Sequence, residues 1–408
     1  MPFILLFWLL FAVVLYTYIG YGALLWVIVR VRRALGMGQR MLLPAGEPTD
    51  VTLVVPAYNE IDCLPDKLQN CLEQDYPAHK LHLLFVVEGS DDGSEAWLRM
   101  QQAHVPNLHL IGGRRRLGKI EAMNNAMKEV ATRLVVFTDA NTQLNPEAVS
   151  RLVRKFDLPN VGAVTGEKRI QTATAEAATG SGEGLYWKYE SFLKRLDAEL
   201  HTVVGAAGEL FAIRTDLFEP VEADTLLDDF MISLRLAAKG YRVDYEPEAY
   251  ALERPSAAIR EEQKRKVRIA TGGFQSMARL LPLLNPIRHG WLSFQYISHR
   301  VLRWAVTPFC LPLLLVLNVG ILASFLHQSA SVWTTGFWAV LLVAQLAFYA
   351  LAWVGYRLED RQLRWKPAFV PFYFTFMNWC VLQGYLRYRR GGLSGIWEKA
   401  ARATAVAS

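Results

Sequence analysis

The sequence predicts an α/β protein with a mostly parallel sheet, followed by transmembrane α-helices. Short apolar runs rich in β-branched residues alternate with amphipathic helical stretches in the middle of the chain. Several of these runs end in polar or glycine-rich residues. Four further stretches carry no charge and approach or exceed the ~20 residues that cross a bilayer as a helix. Strand–helix alternation of this kind is typical of a sheet with helices on both faces.

Four apolar runs have the length and composition of buried strands. Leu134–Phe137 is the clearest, because it is short, apolar and β-branched and ends abruptly in polar residues. Helical periodicity covers Ile61–Gln74, which ends before a proline, and Ile120–Val130. The predicted strands are Val51–Pro56, Leu81–Val87, Leu134–Phe137 and Val161–Thr165.

Polar chemistry follows the first three of these strands, where sheets of this type bind their ligands. Asp139-Ala140-Asn141 places two oxygen-bearing side chains at a strand end, which suits a divalent cation carrying phosphate oxygens. A polar turn closing a strand has the same pattern. The other two strands run into Pro56-Ala57-Tyr58-Asn59-Glu60 and into Glu88-Gly89-Ser90-Asp91-Asp92. Gly118-Lys119 adds a cation at a helix start, which can bind phosphate or simply form a turn.

The uncharged stretches predict a multi-pass membrane protein. They are Phe3–Val29, Trp304–Leu326, Val332–Tyr356 and Ala368–Leu386. The first is too long for a signal peptide and no basic residue precedes it, so we expect an uncleaved anchor. Arginines follow this stretch directly, which predicts that its end and the polar block after it face the cytoplasm.

The fourth uncharged stretch breaks the charge pattern. If Ala368–Leu386 crosses the bilayer, Arg387 and Arg390 lie outside, against the positive-inside rule. Re-entry is the alternative, and Pro371 and Asn378 are compatible with it. We expect a full span.

Composition excludes some functions. The net charge of +6 lies largely beside the membrane spans, so anionic lipid headgroups explain it better than nucleic acid does. The four cysteines show no metal-binding spacing. Residues 270, 274, 277, 278 and 281 form one apolar helix face, which indicates either a helix in the membrane interface or core packing.

The motifs together resemble the membrane-embedded inverting glycosyltransferases of glycosyltransferase family 2, which includes cellulose, hyaluronan, chitin and poly-N-acetylglucosamine synthases. Similarity runs from about Val51 to Arg303, with the motifs in the family's order. The resemblance implies a GT-A type transferase domain and a nucleotide-sugar donor, expected to be a UDP-sugar. Residues that would bind this donor are Pro56, Tyr58, Glu60, Glu88, Ser90, Lys119, Asn124 and Asp139.

The resemblance also implies an acceptor site and a catalytic base. Asp229, beside Asp228, would take the proton from the acceptor hydroxyl, although both residues also suit a helix N-terminus. Gly205, Gly208 and Glu209 belong to the segment that resembles the acceptor loop. Trp187, within an aromatic cluster, is the first candidate for stacking on the acceptor sugar, with helix packing as the alternative.

Two departures from the family pattern affect function. Asn141 replaces the second metal-motif Asp, so Mg2+ or Mn2+ held by Asp139 and Asn141 should bind less tightly unless Glu88 helps. The Gln-x-x-Arg-Trp motif of many polymer synthases is altered at Gln263–Arg268, where the tryptophan is absent. Gln263, Lys266 and Arg268 remain candidates for binding the diphosphate, and a solvated basic helix is the alternative.

These observations predict an inner-membrane transferase that adds sugars to a β-linked polysaccharide, in contact with lipids and perhaps with accessory export subunits. Its alternatives are a single-sugar transferase acting on a lipid-linked acceptor and an inactive scaffold subunit. The predicted divisions are a transmembrane helix at 1–30, the cytosolic transferase domain at 45–268, interface helices at 269–303, about three transmembrane helices at 304–388 and a basic tail at 389–408.

Overall fold

An eight-stranded mixed sheet organises the polar part of the chain. The computed structural model describes residues 2–37, 46–158, 160–170, 182–254, 259–329, 331–360, 365–393 and 395, so most of the predicted tail lies outside the described residues. The strands are β1 (Val51–Ala57), β2 (Leu81–Glu88), β3 (Leu108–Gly113), β4 (Leu134–Thr138), β5 (Thr142–Leu144), β6 (Val161–Ile170), β7 (Leu210–Arg214) and β8 (Arg242–Glu253).

The strand order is β3-β2-β1-β4-β7-β6-β8-β5. Strands β3, β2, β1 and β4 are parallel neighbours, as are β6 and β8. β7 runs antiparallel to both β4 and β6, and β5 runs antiparallel to β8 at the edge. This confirms the predicted α/β class with a mostly parallel sheet.

Helices cover both faces of the sheet and continue into the membrane-spanning part. They are α1 (Pro2–Leu15), α2 (Tyr21–Ala34), α3 (Leu64–Leu72), α4 (Ser94–Gln102), α5 (Lys119–Glu129), α6 (Ala148–Arg154), α7 (Gly182–Leu200), α8 (Asp228–Ala238), α9 (Ile259–Arg279), α10 (Pro286–His289), α11 (Trp291–Tyr296), α12 (Thr307–His327), α13 (Val332–Asp360) and α14 (Lys366–Arg390). Short π-helices at Tyr16–Gly20 and Ile297–Val306 join α1 to α2 and α11 to α12.

All four predicted strands are present, as β1, β2, β4 and β6. The strands that periodicity did not predict have weaker signals. β5 has only three residues and β3 ends in two glycines. β7 follows the segment of Gly205, Gly208 and Glu209, and β8 follows the helix that begins at Asp228. Each pairs with a strand from much earlier in the chain, β7 with β4 and β8 with β6.

Apolar packing on both sides makes the sheet a rigid support for its strand ends. In β1, Val51, Leu53 and Val55 pack on the face covered by α3, α4 and α6. Val54 packs on the opposite face, against residues of α5, α8 and α9. Such burial on two faces explains why the parallel strands read as continuous apolar runs rather than as alternating patterns.

Three helical segments are long and apolar enough to cross a membrane: Pro2–Ala34, Trp291–His327 and Val332–Leu358. They contain the first three predicted spans. Phe7 of α1 packs against Leu314 and Leu317 of α12. By contrast, α2 packs against α7 of the sheet domain, so the first helix both enters the apolar part of the protein and holds the domain to it.

The structure differs from the predicted fourth span. Among the described residues, α14 is long enough for a span, with 25 residues, but it is not among the helices apolar enough to cross a membrane. It begins beside the end of α13, where Ala368 O lies 2.5 Å from a β-carbon built on Gly355. It then packs along α9, with Gln263 Nε2 donating to Gln383 Oε1 at 2.9 Å. The C-terminal half of α14 therefore lies against α9 and the cavity of the sheet domain, and the arginines of its last turn need not cross a membrane.

The apolar face predicted around residue 270 packs in the core. Ala270, Phe274 and Met277 are buried, and the Phe274 ring lies 5.2 Å from that of Tyr385 on α14. Of the two readings left open for this face, the structure has the core-packing one. Leu281, at its end, is exposed.

The path of α14 predicts the side on which the chain ends. A tag inserted after Gly392 should be accessible from the same side as a tag inserted at exposed Ala103, because Arg387 lines the pocket of the sheet domain. Protease accessibility in sealed inside-out and right-side-out vesicles measures this. Cleavage of the two tags from opposite sides would contradict the position of α14.

Candidate active site

One cavity of about 810 Å³ lies at the carboxyl ends of the parallel strands. The segments after β1, β2 and β4 all contribute to its lining, through Tyr58, Glu88 and Asp139. Residues of α9, α14 and the second π-helix form other parts of its wall, including Ile269, Val381 and Trp304. The cavity therefore extends from the sheet to the helices that lead into the membrane-spanning part.

Aromatic and basic side chains meet at the end of the cavity formed by β1 and β2. The Arg116 guanidinium lies 3.8 Å from the centre of the Tyr58 ring, as in a stacked cation–π pair. Gly89 has a φ of +75°, and a β-carbon there would lie 2.4 Å from Arg116 N. Glycine is required at this turn because the two segments approach so closely.

Glu88 ends β2 and points one carboxylate oxygen at α5. Its Oε1 accepts from Asn125 Nδ2 at 2.9 Å, whereas its buried Oε2 has no hydrogen-bond partner. An unsatisfied buried acceptor of this kind can receive a donor from a ligand.

Lys119, the first residue of α5, joins three separate segments of the site. Its Nζ donates to Asp139 Oδ1 at 2.7 Å and lies 3.4 Å from Asp228 Oδ2 and 3.5 Å from Gly208 O. Burial disfavours the ammonium, but Asp139 and Asp228 outweigh this and raise the pKa of Lys119. Burial also raises the pKa of Asp139, although Lys119 opposes that shift. A single ammonium thus compensates several carboxylates in the cavity.

Asp228 and Asp229 begin α8 and face the cavity. Burial, followed by repulsion from Asp228, raises the pKa of Asp229 to about 7. A β-carbon built on Gly208 would lie 3.2 Å from Asp229 Oδ2, so the glycine loop runs against this carboxylate. A carboxylate with a pKa near neutrality can accept a proton and release it again at ordinary pH.

The residues proposed for a divalent cation are Asp139 and Asn141. The buried Oδ1 of Asn141 has no hydrogen-bond partner, so it is available as a ligand. In the part of the chain that the structure describes, no three His, Cys, Asp or Glu side chains form a metal-binding group. A cation here would have Asp139 and Asn141 as protein ligands, with room for oxygen atoms of a bound molecule.

A second group of charged residues surrounds Trp187. The ammonium groups of Lys168 and Lys266 each lie 5.6 Å from the centre of its ring. Lys168 donates to Glu209 Oε1 at 2.6 Å and also pairs with Glu253. Although burial opposes it, Lys168 holds the pKa of Glu209 well below its ordinary value. Glu209 is therefore an ionised residue of the loop that follows Gly208.

Most of the residues predicted for the site line this cavity. They are Pro56, Tyr58, Glu60, Glu88, Lys119, Asp139, Asn141, Trp187, Gly208, Glu209, Asp228, Asp229, Lys266 and Arg268.

Four predicted residues support the site from outside the lining. Ser90 Oγ accepts from Asn59 N at 3.0 Å, and Asn124 Nδ2 donates to Val221 O at 2.9 Å. Gly205 allows Phe230 to pack closely, since a β-carbon there would lie 2.5 Å from the ring. Gln263 bonds to Gln383 of α14.

Sequence reasoning missed several lining residues. Arg116 belongs to the run Arg114-Arg115-Arg116 just before Gly118-Lys119, and that run was an available signal. Lys168 and Glu253 lie on β6 and β8 and carried no motif. The α14 residues Met377, Cys380 and Val381 could not be found, because their position depends on a helix that sequence reasoning assigned to the membrane.

Comparison with protein families matches residues 52–221 to the family described as "Glycosyl transferase family 2". A poly-β-1,6-N-acetyl-D-glucosamine synthase of Staphylococcus aureus is 26% identical over 238 residues, which cover 56% of this chain and 56% of that protein. The corresponding synthase of Staphylococcus epidermidis is 21% identical over 332 residues, or 78% of this chain and 79% of that protein. The chain thus spans 56% of the S. aureus relative's length.

A solved structure shares the fold over most of the chain. It is a mannosyltransferase from Pyrobaculum calidifontis in complex with GDP-Man and Mn2+, with a TM-score of 0.67 and 22% identity. The likeness covers 93% of this chain and 99% of that chain. This confirms the predicted GT-A type fold of the sheet domain.

Proposed function

We propose that this chain, which carries a glycosyltransferase family 2 domain, is an inverting membrane transferase that builds a β-linked polysaccharide from a nucleotide-sugar. One observation carries the proposal: Lys119 contacts both the Asp139 carboxylate and Asp228, the neighbour of Asp229, in the cavity at the strand ends. The residue proposed to act near the leaving group and the pair proposed to act on the acceptor are therefore held beside the same ammonium. The polymer, poly-N-acetylglucosamine, is proposed from the names of the staphylococcal relatives. A UDP-linked donor is proposed from the resemblance of the motifs to those of glycosyltransferase family 2.

The end of the cavity near β1 and β2 suits the nucleotide. Tyr58 and Arg116 offer flat surfaces for stacking a base, and Glu88 Oε2 can accept from a base N–H. Lys119 lies where a diphosphate would pass toward Asp139, at the N-terminus of α5, and a helix N-terminus favours anions.

Asp229 is proposed as the base that takes the proton from the acceptor hydroxyl. Attack from its side, opposite the nucleoside diphosphate, inverts the anomeric carbon and gives a β-linkage from an α-linked donor. Lys119 stabilises negative charge on the departing phosphate and, by its proximity, keeps the pKa of Asp229 from rising further.

Asp139 and Asn141 would hold Mg2+ or Mn2+ together with the donor's phosphate oxygens. When bound, such a cation neutralises charge on the leaving diphosphate. The unpartnered Asn141 Oδ1 supports this placement. Because Asn141 brings no charge and Lys119 already pairs with Asp139, we propose that the cation binds with the donor rather than before it.

The acceptor end is proposed to lie around Trp187, Gly208 and Glu209, with Lys266 and Arg268 on the same side of the cavity. An aromatic ring packs well against the apolar face of a sugar. Lys266 and Arg268 are proposed to contact the diphosphate.

The proposed location is the cytoplasmic side of a bacterial inner membrane, where nucleotide-sugars are made. Arg32 and Arg33 lie at the end of the first candidate span and contact the C-terminal end of α7, which fits a domain held against that membrane face. Membrane lipids and accessory export subunits are the proposed partners. Nucleic acid is not proposed as a partner.

A single-sugar transferase acting on a lipid-linked acceptor is the second candidate. The altered motif at Gln263–Arg268 favours it, because Gln263 is engaged by α14 and the tryptophan of the polymer-synthase motif is absent. An inactive scaffold subunit is the third, and intact Asp139 and Asp229 argue against it.

Product length distinguishes these candidates. With UDP-N-acetylglucosamine and Mn2+, the purified protein in lipid nanodiscs should release UDP and form a ladder of oligomers in mass spectrometry. Addition of one residue to a lipid would support the second candidate. The absence of transfer and hydrolysis with a full panel of UDP- and GDP-sugars would support the scaffold.

Asp229→Asn should lower turnover by about 10²–10⁴-fold while UDP binding is retained, because the amide cannot accept the proton. Steady-state UDP release and calorimetric binding of UDP measure the two effects. Asp216→Asn, an exposed aspartate outside the cavity lining, is the matched control and should behave as wild type.

The pH profile provides a second readout for the same group. The base works deprotonated and its pKa is raised to about 7, so turnover should fall as the pH drops through about 7. If Asp229→Asn still transfers sugar, or if the rate does not depend on pH across this range, Asp229 is not the catalytic base.

Chelation should stop turnover, and Mn2+ or Mg2+ should restore it. Asn141→Asp should lower the metal concentration needed for half-maximal activity, because it adds a negative ligand. Asn160→Asp adds the same charge at an exposed turn and serves as control. Full activity in the presence of chelator, or an unchanged metal requirement in Asn141→Asp, would contradict the proposed cation site.

A further inference from the structure

Lys67 of α3 is a fully buried lysine, with no exposed surface, beneath the loop Asp139-Ala140-Asn141. It is among the largest completely buried side chains of the described residues. It does not line the cavity and has no role in the proposed reaction. Burying an ammonium costs free energy that an apolar side chain of similar volume avoids, so its position requires an explanation.

The ammonium of Lys67 connects the two ends of the loop. Nζ donates to Thr138 Oγ1 at 3.0 Å and to Thr142 O at 2.9 Å. Thr138 is the last residue of β4 and Thr142 the first of β5, so only the three loop residues separate the two contacts. Thr142 Oγ1 in turn donates to Asp139 O at 2.9 Å.

The loop needs such a connection because the chain changes position in the sheet there. β4 lies in the middle of the sheet between β1 and β7, whereas β5 lies at the edge and pairs only with β8. Thr138, Ala140 and Thr142 are buried, so the carbonyl groups at this bend depend on protein donors. Lys67 supplies donors to both sides of the bend from below the sheet.

Charge adds to this geometry. Burial lowers the pKa of Lys67, while the nearby Cys71 and Asp139 oppose that shift. The Lys67 ammonium lies on the other side of the loop from Lys119. It therefore still complements the negative charge of Asp139 if Lys119 pairs with another group.

We propose that Lys67 is a positioning residue that holds the Asp139-Ala140-Asn141 loop so that its side-chain oxygens face the donor and its cation. This inference rests on the proposed function of the loop but concerns a residue outside the cavity. Partners of this kind behind a metal ligand typically change metal affinity or activity by about 10–100-fold when removed.

A purely structural role in anchoring β5 is the competing explanation, and the same helix provides its control. Asn70, one turn after Lys67, donates to Leu144 O and accepts from Leu144 N, each at 2.8 Å. Asn70→Ala removes two hydrogen bonds between the same helix and the same strand without touching the loop. Lys155→Met removes a partly buried lysine that pairs with Asp244 and Glu246 and so controls for lost charge.

Lys67→Met should raise the dissociation constant of UDP with Mn2+, measured by calorimetry, and the KM for the donor by about 10–100-fold. KM for the acceptor should stay unchanged, because Trp187 and Glu209 keep their partners. Asn70→Ala and Lys155→Met should lower thermal stability at most, without this selective change. Thr138→Val, which removes one of the two acceptors, should give a smaller effect of the same kind.

Several outcomes would overturn the inference. Unchanged UDP–Mn2+ affinity in folded Lys67→Met would do so, as would an equal loss of affinity in Asn70→Ala. If Lys67→Met does not fold, Thr138→Val decides, and wild-type affinity in that variant rejects the role. Failure of the proposed function gives a different result from failure of this inference. The wild type would then bind UDP and Mn2+ without transferring any sugar, and comparing the UDP–Mn2+ affinity of the variants would still test Lys67.

Discussion

The ion pairs of Lys119 are the interaction on which the site depends. Asp139 follows a strand in the middle of the sheet, Asp228 begins a helix, and Gly208 belongs to the loop between α7 and β7. Each carboxylate would be costly to bury alone, and their mutual repulsion would push the segments apart. One ammonium at 2.7 Å from Asp139 and 3.4 Å from Asp228 makes their proximity tolerable. In the proposed reaction, a donor diphosphate offers the same lysine an alternative partner, so donor binding would be coupled to the charge around the proposed base Asp229.

The helices beyond the sheet domain belong to the same arrangement. Asp197 of α7 is buried and accepts hydrogen bonds from Tyr21 of α2 and from Gln295 of α11. His299 of the second π-helix lies 2.7 Å from the same carboxylate. A polar cluster therefore joins the domain to two of the candidate spans, Pro2–Ala34 and Trp291–His327. On the other side, α14 packs along α9 and contributes to the cavity wall, so the cavity reaches from the strand ends to these two helices.

Local signals were sufficient where chemistry and backbone coincide. Leu134–Phe137 followed by Asp139 predicted a buried strand with a polar end. Gly118-Lys119 predicted a helix start that carries a cation. Both are as predicted, because strand ends and helix starts are set by short-range constraints. Ala368–Leu386 shows the limit: without charges it resembled a span, yet it lies in a helix that packs along α9. Apolar composition does not distinguish burial against protein from burial in lipid.

The sequence by itself determined the fold class, the order of the motifs, three apolar helical stretches and a set of candidate site residues most of which line the cavity, because these depend on periodicity and local turn chemistry. Only the tertiary structure decided which charges meet. Lys119 pairs with residues 20 and 109 positions away, and Lys67 reaches the loop after β4 from a helix that precedes two further strands. Such contacts arise from the crossing of strands within the sheet, which no local pattern encodes. The burial of Asp229 and the cavity wall formed by α14 have the same origin.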